Sequence, residues 1–472
     1  MSSFAGRMKE YPTVSLDRFD RENLHARAYF LSHCHKDHMK GLKGPKLKRK
    51  LQSSRTVRLY CSFVTKELLL SNPKYAFWEE YILPLELESP TQISLVDEAS
   101  GEKEDLVVTL LPAGHCPGSV MFLFEGSQGN VLYTGDFRFA VGDASRIEHL
   151  HSGSRVKDIQ TVYLDSTFYD PRFYQIPTRE VCLNGILELV GNWITQSPYH
   201  VVWLNCKAAY GYEYLFTNLG EEFNTQIHVR SLGMFNKMPD ILSYVTTDRR
   251  TQIHACRHPK VQLLSLSFFC VQDEEFFQGS RLPCGCTASD GTPLRIISIK
   301  PSTMWFGERM RKTNVIIKTG ASSFRACFSF HSSYSELKDF LSYLRPVNIY
   351  PSVIPIAMDV KLFILFPILT LSASLSNHSS QNLDSYLPDT LILHPEQGVH
   401  EQGDLKTNDM SQENASDVQK VHLEPEELSE SQVSSDFDIP STPESKMPRP
   451  DELSQLYRKL AAGEEVVTRK RD

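Results

Sequence analysis

The sequence lacks a long apolar run and the pattern of a secretory signal. The apolar stretch at 358–371 is too short for a membrane span, which needs about 20 residues. The first thirty residues mix charged side chains such as Arg7, Asp17 and Glu22 with few apolar neighbours, so we expect no signal peptide. The ten cysteines are therefore expected to be reduced thiols or metal ligands, and no membrane partner is expected.

Charge is unevenly distributed along a chain whose composition, 41% hydrophobic and 23% charged over 472 residues, is typical of a soluble globular body. Residues 377–472 hold 20 acidic and 9 basic residues, a net charge of −11 against −7 for the whole chain, which leaves +4 for residues 1–376. The last quarter is rich in Ser, Asp, Glu, Gln and Asn. We expect a disordered acidic regulatory tail at 377–472, preceded by an atypical apolar segment at 358–376.

Four metal-binding side chains lie within six residues, directly after the apolar run 28–31: His33, His35, Asp37 and His38. A tight turn after a strand directs alternate residues into one pocket. His33 and His35 can therefore bind one metal ion while Asp37 and His38 turn toward a second. The alternative is a solvated polar turn with coincidental histidines. The density of ligands favours a hydrolytic site with two metal ions.

Further ligand types follow other strand-like runs. The run 105–111 leads into a turn of small residues and prolines that presents His115, and the run 130–134 leads to Asp136. A carboxylate such as Asp136 can bridge two ions, since it has two oxygens. The apolar run 326–330 ends at His331. Singly, His115 or His331 is more simply a structural histidine, but together these residues complete a ligand set.

These motifs resemble the metallo-β-lactamase superfamily: an HxHxDH loop, a histidine turn, a Gly-Asp pair and a terminal histidine occur in that order. Asp17 matches the superfamily's first motif, a carboxylate that orients a ligand ring. The long insertion before His331 opens with Tyr-Leu-Asp-Ser-Thr at 163–167, which resembles the β-CASP domain of nucleic-acid-processing members. Over most of residues 1–355 the chain is similar to the DNA cross-link repair nuclease group of this family.

The resemblance implies a role for each ligand. The first ion would be held by His33, His35, His115 and Asp136, and the second by Asp37, His38, Asp136 and His331. The carboxylates implied in catalysis are Asp17, Asp37, Asp136 and Asp165. Two divalent ions, zinc with magnesium or manganese as alternatives for activity, would lower the pKa of water and stabilise phosphate oxygens during in-line attack. Water would then be the nucleophile.

A second group of ligands occurs in the insertion. His228 follows the strand-like run 225–227, and His254 and Cys256 follow the run 251–253. Cys284 or Cys286 could supply the fourth ligand. Two histidines and two cysteines form a closed tetrahedral zinc site, which stabilises a fold and has no open position for water. The family resemblance implies Cys284, although this chain carries extra residues around 263–277.

Basic residues are frequent in the segment that follows the loop from His33 to His38, the metal loop. From Lys36 to Arg58, nine basic residues are opposed only by Asp37. A solvated basic face is the ordinary explanation, but the adjacent hydrolytic centre favours a phosphate-binding groove with strong salt dependence. Aromatic residues beside other lysines suit unpaired nucleotides, with core packing as the alternative. The predicted DNA contacts are Lys36, Lys40, Lys43, Lys207, Tyr212, Lys300, Ser302 and Thr303.

The expected fold class is α/β: a metallo-β-lactamase αββα sandwich with an inserted α/β β-CASP domain, followed by the disordered tail. Strands are predicted at 58–61, 105–111, 120–124, 130–134 and 200–205, and helices at 62–70, 179–194 and 212–223. Ser333 and Glu336 form a capping-box pattern that predicts a helix at 334–344. The predicted domains are 1–155 for the first part of the sandwich, 156–330 for the insertion and 331–357 for the return.

The implied function is that of a metal-dependent DNA nuclease. The resemblance implies 5′-to-3′ exonuclease and structure-selective endonuclease activity, which opens hairpins and trims overhangs in non-homologous end joining and V(D)J recombination. It implies DNA ends and hairpins, the DNA-dependent protein kinase catalytic subunit and, as a further candidate, DNA ligase IV as partners, in the nucleus. Two alternatives stay open: an RNA-processing β-CASP endonuclease, and an inactive isoform that acts only through partner binding.

Overall fold

Residues 2–206, 210–256, 282–303, 306 and 314–353 are described by the structure, a computed structural model. Within them the helices are α1 (Pro45–Ser53), α2 (Phe63–Leu70), α3 (Arg179–Ile194), α4 (Glu213–Phe223), α5 (Pro239–Leu242) and α6 (Tyr334–Leu344). The strands are β1 (Val14–Leu16), β2 (Ala28–Phe30), β3 (Leu59–Ser62), β4 (Ile82–Leu85), β5 (Thr91–Val96), β6 (Lys103–Pro112), β7 (Val120–Gly126), β8 (Gly129–Tyr133), β9 (His151–Ser152), β10 (Arg155–Val156), β11 (Ile159–Leu164), β12 (His200–Leu204), β13 (Ile227–His228), β14 (Val245–Thr246), β15 (Ile253–His254), β16 (Arg295–Pro301), β17 (Ile316–Lys318), β18 (Ser323–Ala326) and β19 (Asn348–Pro351).

Two sheets pack face to face between layers of helices. Strands β1 to β4 form a parallel four-stranded sheet, and the six-stranded sheet has the order β19-β11-β8-β7-β6-β5. Alternation along β7 explains the layers, since Phe122 and Phe124 enter the core between the sheets while Met121 and Leu123 pack with α6. Leu51 of α1 and Leu68 of α2 pack on the outer side of the four-stranded sheet. This arrangement confirms the predicted αββα sandwich.

The insertion contributes a third sheet. Its strands have the order β14-β13-β15-β12-β16-β18-β17, and all neighbouring pairs are parallel except the antiparallel pair β17 and β18. Helices α3 and α4 contact this sheet and each other. In a parallel sheet the loops that follow neighbouring strands lie at one edge, where open α/β sheets bind ligands. The loops after β12 and β16 share that edge.

Side-chain caps determine where the main helices begin. The Ser62 hydroxyl accepts a hydrogen bond from the Thr65 amide at the start of α2, and Thr178 accepts one from Val181 at the start of α3. Both reciprocal bonds of the predicted capping box are present at α6. Helices α3 and α6 therefore have the predicted bounds.

One predicted boundary differs from the sheet pairing. Residues 159–164 are assigned to the insertion by the sequence pattern, but β11 pairs in parallel with β8 and β19 of the six-stranded sheet. By sheet membership the insertion begins after Leu164 and not at 156. A parallel strand buried on both faces has the same apolar pattern in either sheet, so the sequence could not distinguish them.

Several predicted features lie outside the described residues: the extra segment around 263–277, the apolar segment 358–376 and the acidic tail 377–472. Within the described part of the chain, no helix combines the length and hydropathy that a membrane crossing would need.

Candidate metal centre

The metal loop begins where β2 ends. His33 and His38 are fully buried, whereas His35 and Asp37 are partly exposed at the mouth of the site. The His38 amide donates to the His35 carbonyl at 3.1 Å, a tight turn that returns the chain toward the pocket. The turn therefore places all four side chains around one space, as the spacing predicts.

Two further turns bring His115 and Asp136 to the same space. Strand β6 ends three residues before His115, and β8 ends three residues before Asp136. Gly135 has a φ of +54° and approaches Ser32 so closely that a Cβ atom would lie 2.8 Å from its hydroxyl oxygen. A larger residue would thus push Asp136 away from the metal loop.

The predicted ligands of the first ion form one group. One ligand atom from each of His33, His35, His115 and Asp136 lies within 4.8 Å of the others. The Asp136 Oδ2 atom lies 3.7 Å from Nε2 of both His33 and His115 and 3.3 Å from Nε2 of His38. Buried polar atoms normally have partners, yet His33 Nε2, His38 Nε2 and Asp136 Oδ1 have none among the described residues. The donor set fits a divalent metal ion.

The electrostatics of the group favour neutral imidazoles beside an ionised carboxylate. Burial and the neighbouring histidines hold the pKa of His33 well below its ordinary value, and burial does the same for the pKa of His115. Burial alone would raise the pKa of Asp136, but His38, His331 and His115 lower it well below its ordinary value. A metal ion requires these protonation states of its ligands.

Asp17 lies behind the metal loop and holds it. Its carboxylate accepts hydrogen bonds from the Ser32 amide at 2.7 Å, from His38 Nδ1 at 2.8 Å and from the Tyr133 hydroxyl at 2.9 Å. Because Nδ1 of His38 is engaged, the opposite nitrogen Nε2 points to Asp136. This is the orienting contact implied for Asp17.

The predicted second-ion ligands are not gathered in one group within the described residues. His38 Nε2 lies 3.9 Å from Asp37, but His331 groups with Asp136 and Asp165 instead. His331 Nδ1 donates to Asp165 Oδ2 at 2.7 Å, and Asp165 raises the pKa of His331 against the effect of burial. The opposite ring nitrogen of His331 is the atom that remains for an ion or a phosphate.

Two backbone carbonyls orient metal ligands, and no sequence pattern predicts either contact. His35 Nε2 lies 3.0 Å from the Tyr210 carbonyl, in the loop between β12 and α4 of the insertion. His115 Nδ1 lies 2.8 Å from the Phe330 carbonyl. Each contact fixes which ring nitrogen faces the centre. Side-chain patterns cannot predict such contacts because any residue carries a carbonyl.

Glu213 supports the loop that contacts His35. It is buried at the first position of α4 and accepts a hydrogen bond from the Gly211 amide at 2.5 Å. Burial raises the pKa of Glu213 from 4.5 to about 7. Between these values the folded state binds more protons than the unfolded state, so stability falls as pH rises through this window.

We therefore expect Glu213→Gln to remove this loss of stability. The free energy of unfolding of the variant, relative to the wild type, should rise by about 3 kcal/mol between pH 4.5 and pH 7. Urea unfolding at both pH values measures this difference. Glu222→Gln, an exposed position on the same helix, should give no such change, and a pH-independent difference for Glu213→Gln would contradict the prediction.

The predicted DNA contacts have different positions in the structure. Lys36, Lys40 and Lys43 are exposed beside the metal loop. Ser302 and Thr303 follow β16, and the Thr303 hydroxyl is buried with no hydrogen-bond partner among the described residues. Lys300 is partly buried at the end of the same strand, and Lys207 lies outside the described residues.

Tyr212 is corrected by the structure. Its ring is only 6% exposed and packs edge-on against Phe330, with ring centroids 5.0 Å apart. A nucleotide base cannot stack on a ring whose faces are covered. The core-packing alternative therefore describes this residue.

The second predicted metal group is assembled in the inserted sheet. One ligand atom from each of His228, His254, Cys256 and Cys284 lies within 4.8 Å of the others. His228 and His254 are register partners on the parallel strands β13 and β15. Hydrogen bonds from Cys256, His228 and His254 lower the pKa of Cys284, which favours the thiolate that zinc binds. Cys286 instead donates to the Arg249 carbonyl at 2.9 Å.

Comparison with known proteins shows what this chain is similar to. Residues 239–357 match the model described as DNA repair metallo-beta-lactamase, and residues 11–168 match that of the Anti-Pycsar protein Apyc1. Protein artemis of Danio rerio is 75% identical over 361 residues, 76% of this chain and 55% of that protein. Protein artemis of Homo sapiens is 70% identical over 376 residues, 79% of this chain and 53% of that protein.

A more distant relative, the 5′ exonuclease Apollo of Rattus norvegicus, is 32% identical over 336 residues, 70% of this chain and 51% of that protein. The chain spans about half the length of the curated relatives it matches. Residues 239–357 match the DNA repair metallo-β-lactamase family, and most of the chain is strongly homologous to the artemis proteins.

Proposed function

We propose that this chain is a metal-dependent nuclease that cleaves DNA phosphodiester bonds during repair, as a 5′-to-3′ exonuclease and a structure-selective endonuclease. The observation that carries the proposal is the group of His33, His35, His115 and Asp136, whose ligand atoms lie within 4.8 Å of one another. His33 Nε2 and Asp136 Oδ1 are buried and have no hydrogen-bond partner among the described residues. Similarity to the artemis proteins and to the 5′ exonuclease Apollo supports DNA as the substrate.

The residues of the centre would bind the metal ions, and neighbouring side chains would orient these ligands. Two divalent ions, when bound, supply Lewis-acid stabilisation of the phosphate and a lower pKa for water. Asp17 holds His38, and Asp165 holds His331, so that their free ring nitrogens face Asp136 or the mouth of the site. Burial keeps bulk water from His33, His38 and His115. These contacts fix the ligands before substrate arrives, which lowers the cost of reaching the transition state.

We propose zinc as the structural ion of the insertion, held by His228, His254, Cys256 and Cys284. Sulfur ligands favour zinc over magnesium or manganese. The catalytic group contains only nitrogen and oxygen ligands, so zinc, magnesium and manganese are all candidates there.

DNA would bind along the basic side of the metal loop. Lys36, Lys40 and Lys43 are exposed, and α1 adds exposed Lys46, Lys48 and Arg49 without an acidic residue. Lysine and arginine side chains bind the phosphates of the DNA backbone, and these contacts do not depend on the base sequence. The segment after β16, with partly exposed Ser302, would receive an unpaired strand.

The double variant Lys40→Ala, Lys43→Ala should weaken DNA binding and flatten its salt dependence. Each lost phosphate contact should reduce the slope of log K against log salt by about 0.9. Fluorescence anisotropy at several salt concentrations measures the slope. Lys103→Ala is the control. This exposed lysine is the first residue of β6, and the strand extends about 30 Å from it to the end that leads into the His115 turn. An unchanged slope for the double variant would remove this surface from the interface.

The proposed activity is tested with a 5′-labelled DNA hairpin, a DNA overhang and RNA versions of both, together with metal content by mass spectrometry. Metal-dependent cleavage of the DNA substrates supports the proposal. Preference for RNA would favour an RNA-processing endonuclease. Metal-poor protein without cleavage would favour an inactive isoform.

We also propose the DNA-dependent protein kinase catalytic subunit and DNA ligase IV as partners, and the nucleus as location, on the family resemblance. Co-precipitation of the full chain with each purified partner, and imaging of a tagged chain in cells, test these proposals. Absence of binding or a cytoplasmic signal would contradict them.

A further inference from the structure

Two arginines lie buried beside the metal centre. Arg138, two residues after Asp136, is 9% exposed, and Arg179, at the start of α3 in the insertion, is 5% exposed. Burial and the adjacent charge of Arg138 lower the pKa of Arg179 to about 9. Bringing two like charges together away from water is costly, so their contacts must compensate for it.

Both guanidinium groups donate to backbone carbonyls of metal-ligand loops, and Arg138 Nη2 also donates to the Pro177 carbonyl at 2.8 Å. Arg179 Nη2 donates to the Gly114 carbonyl at 2.6 Å and to the His115 carbonyl at 3.3 Å. Arg138 Nη1 donates to the Ser329 carbonyl at 2.8 Å, and Arg179 Nε reaches the same oxygen at 3.4 Å. The two arginines therefore tie the His115 turn to the segment before His331.

That segment acts on both histidines. The Ser329 hydroxyl accepts a hydrogen bond from the His331 amide at 3.1 Å. The next carbonyl, of Phe330, lies 2.8 Å from His115 Nδ1. A shift of the Ser329 carbonyl would thus change the orientation of the His115 ring and the position of His331.

We infer that Arg179 and Arg138 are positioning residues, which set the geometry of His115 and His331 toward the metal ions through the carbonyls of Gly114 and Ser329. The inference rests on the proposed nuclease function for its consequence in catalysis. Arg179 comes from the inserted domain, so the insertion shapes the centre as well as facing the substrate. A guanidinium is required because its N–H donors lie on three separate nitrogens and can bond to two loops at once. The donors of a lysine ammonium are all on one nitrogen.

The test is Arg179→Lys and Arg138→Lys in the full chain, with Arg250→Lys as a matched control on the surface of the inserted domain. Metal affinity is measured by chelator competition, and ligand geometry by the absorption spectrum of the cobalt-substituted protein. Both arginine variants should lose about 10- to 100-fold in metal affinity or in kcat, with KM for a DNA hairpin unchanged. The cobalt spectrum should shift, and Arg250→Lys should match the wild type.

The double variant separates positioning from general stability. Both arginines act on the Ser329 carbonyl. The fold loss of metal affinity or kcat in the double variant should therefore be smaller than the product of the losses in the two single variants. Urea unfolding identifies a variant that fails to fold. If one of the two single arginine variants does not fold, the measurements on the other one test the inference. Wild-type metal affinity, cobalt spectrum and kcat in a folded arginine variant would overturn the inference. Absence of nuclease activity in the wild type would instead overturn the proposed function, since the metal measurements do not depend on it.

Discussion

Replacing Asp37 with alanine should abolish phosphodiester cleavage while the fold survives. The Asp37 side chain is 32% exposed, and its Oδ2 atom lies 3.9 Å from His38 Nε2 at the mouth of the centre. A metal ion contributes several kcal/mol to the transition state, so losing a ligand should reduce kcat on the order of 10³-fold. Cleavage of a labelled DNA hairpin under saturating substrate measures the loss.

A control variant distinguishes this effect from a loss of acidic charge. Asp105→Ala removes an exposed carboxylate from β6 that accepts a hydrogen bond from the Ser94 hydroxyl, and its kcat should equal that of the wild type. Unfolding free energy should change by no more than about 1 kcal/mol for Asp37→Ala, which loses one hydrogen bond from the Ser2 amide. Undiminished cleavage by folded Asp37→Ala would remove the residue from the mechanism.

Cys256→Ser should cause the largest loss of stability. Cys256 is buried between His254 and Cys284 in the closed group of the inserted sheet. A structural zinc site contributes on the order of 10 kcal/mol of binding free energy to the folded state, and a serine hydroxyl is a poor ligand. The variant should contain one zinc ion fewer per chain, and its urea unfolding midpoint should fall steeply.

Cys286→Ser is the matched control. Cys286 is two residues from Cys284, but its thiol donates to the Arg249 carbonyl and it does not belong to the ligand group. Its zinc content and stability should match those of the wild type. Loss of zinc from Cys286→Ser, with none from Cys256→Ser, would reverse the ligand assignment.

Local patterns predicted the bounds of α3 and α6 because local chemistry determines them. The capping box at Ser333 and Glu336 specifies the start of α6 irrespective of what the helix packs against. The continuous apolar run at 120–124 predicts a strand that is buried on both faces. The assignment of β11 to the six-stranded sheet required knowledge of its partner strands, because a strand's own sequence does not determine which strands it pairs with.

The sequence by itself determined the chemistry of the centre, because ligand types are side chains and the spacing of His33 to His38 is local. Only the tertiary structure decided which atoms meet. It placed Asp136 Oδ2 between three imidazoles, grouped His331 with Asp165, and buried Tyr212. It also placed the carbonyls of Tyr210, Gly114 and Ser329 beside the metal ligands or the arginines. Such contacts join distant segments through backbone groups that every residue shares, so no pattern of side chains could indicate them.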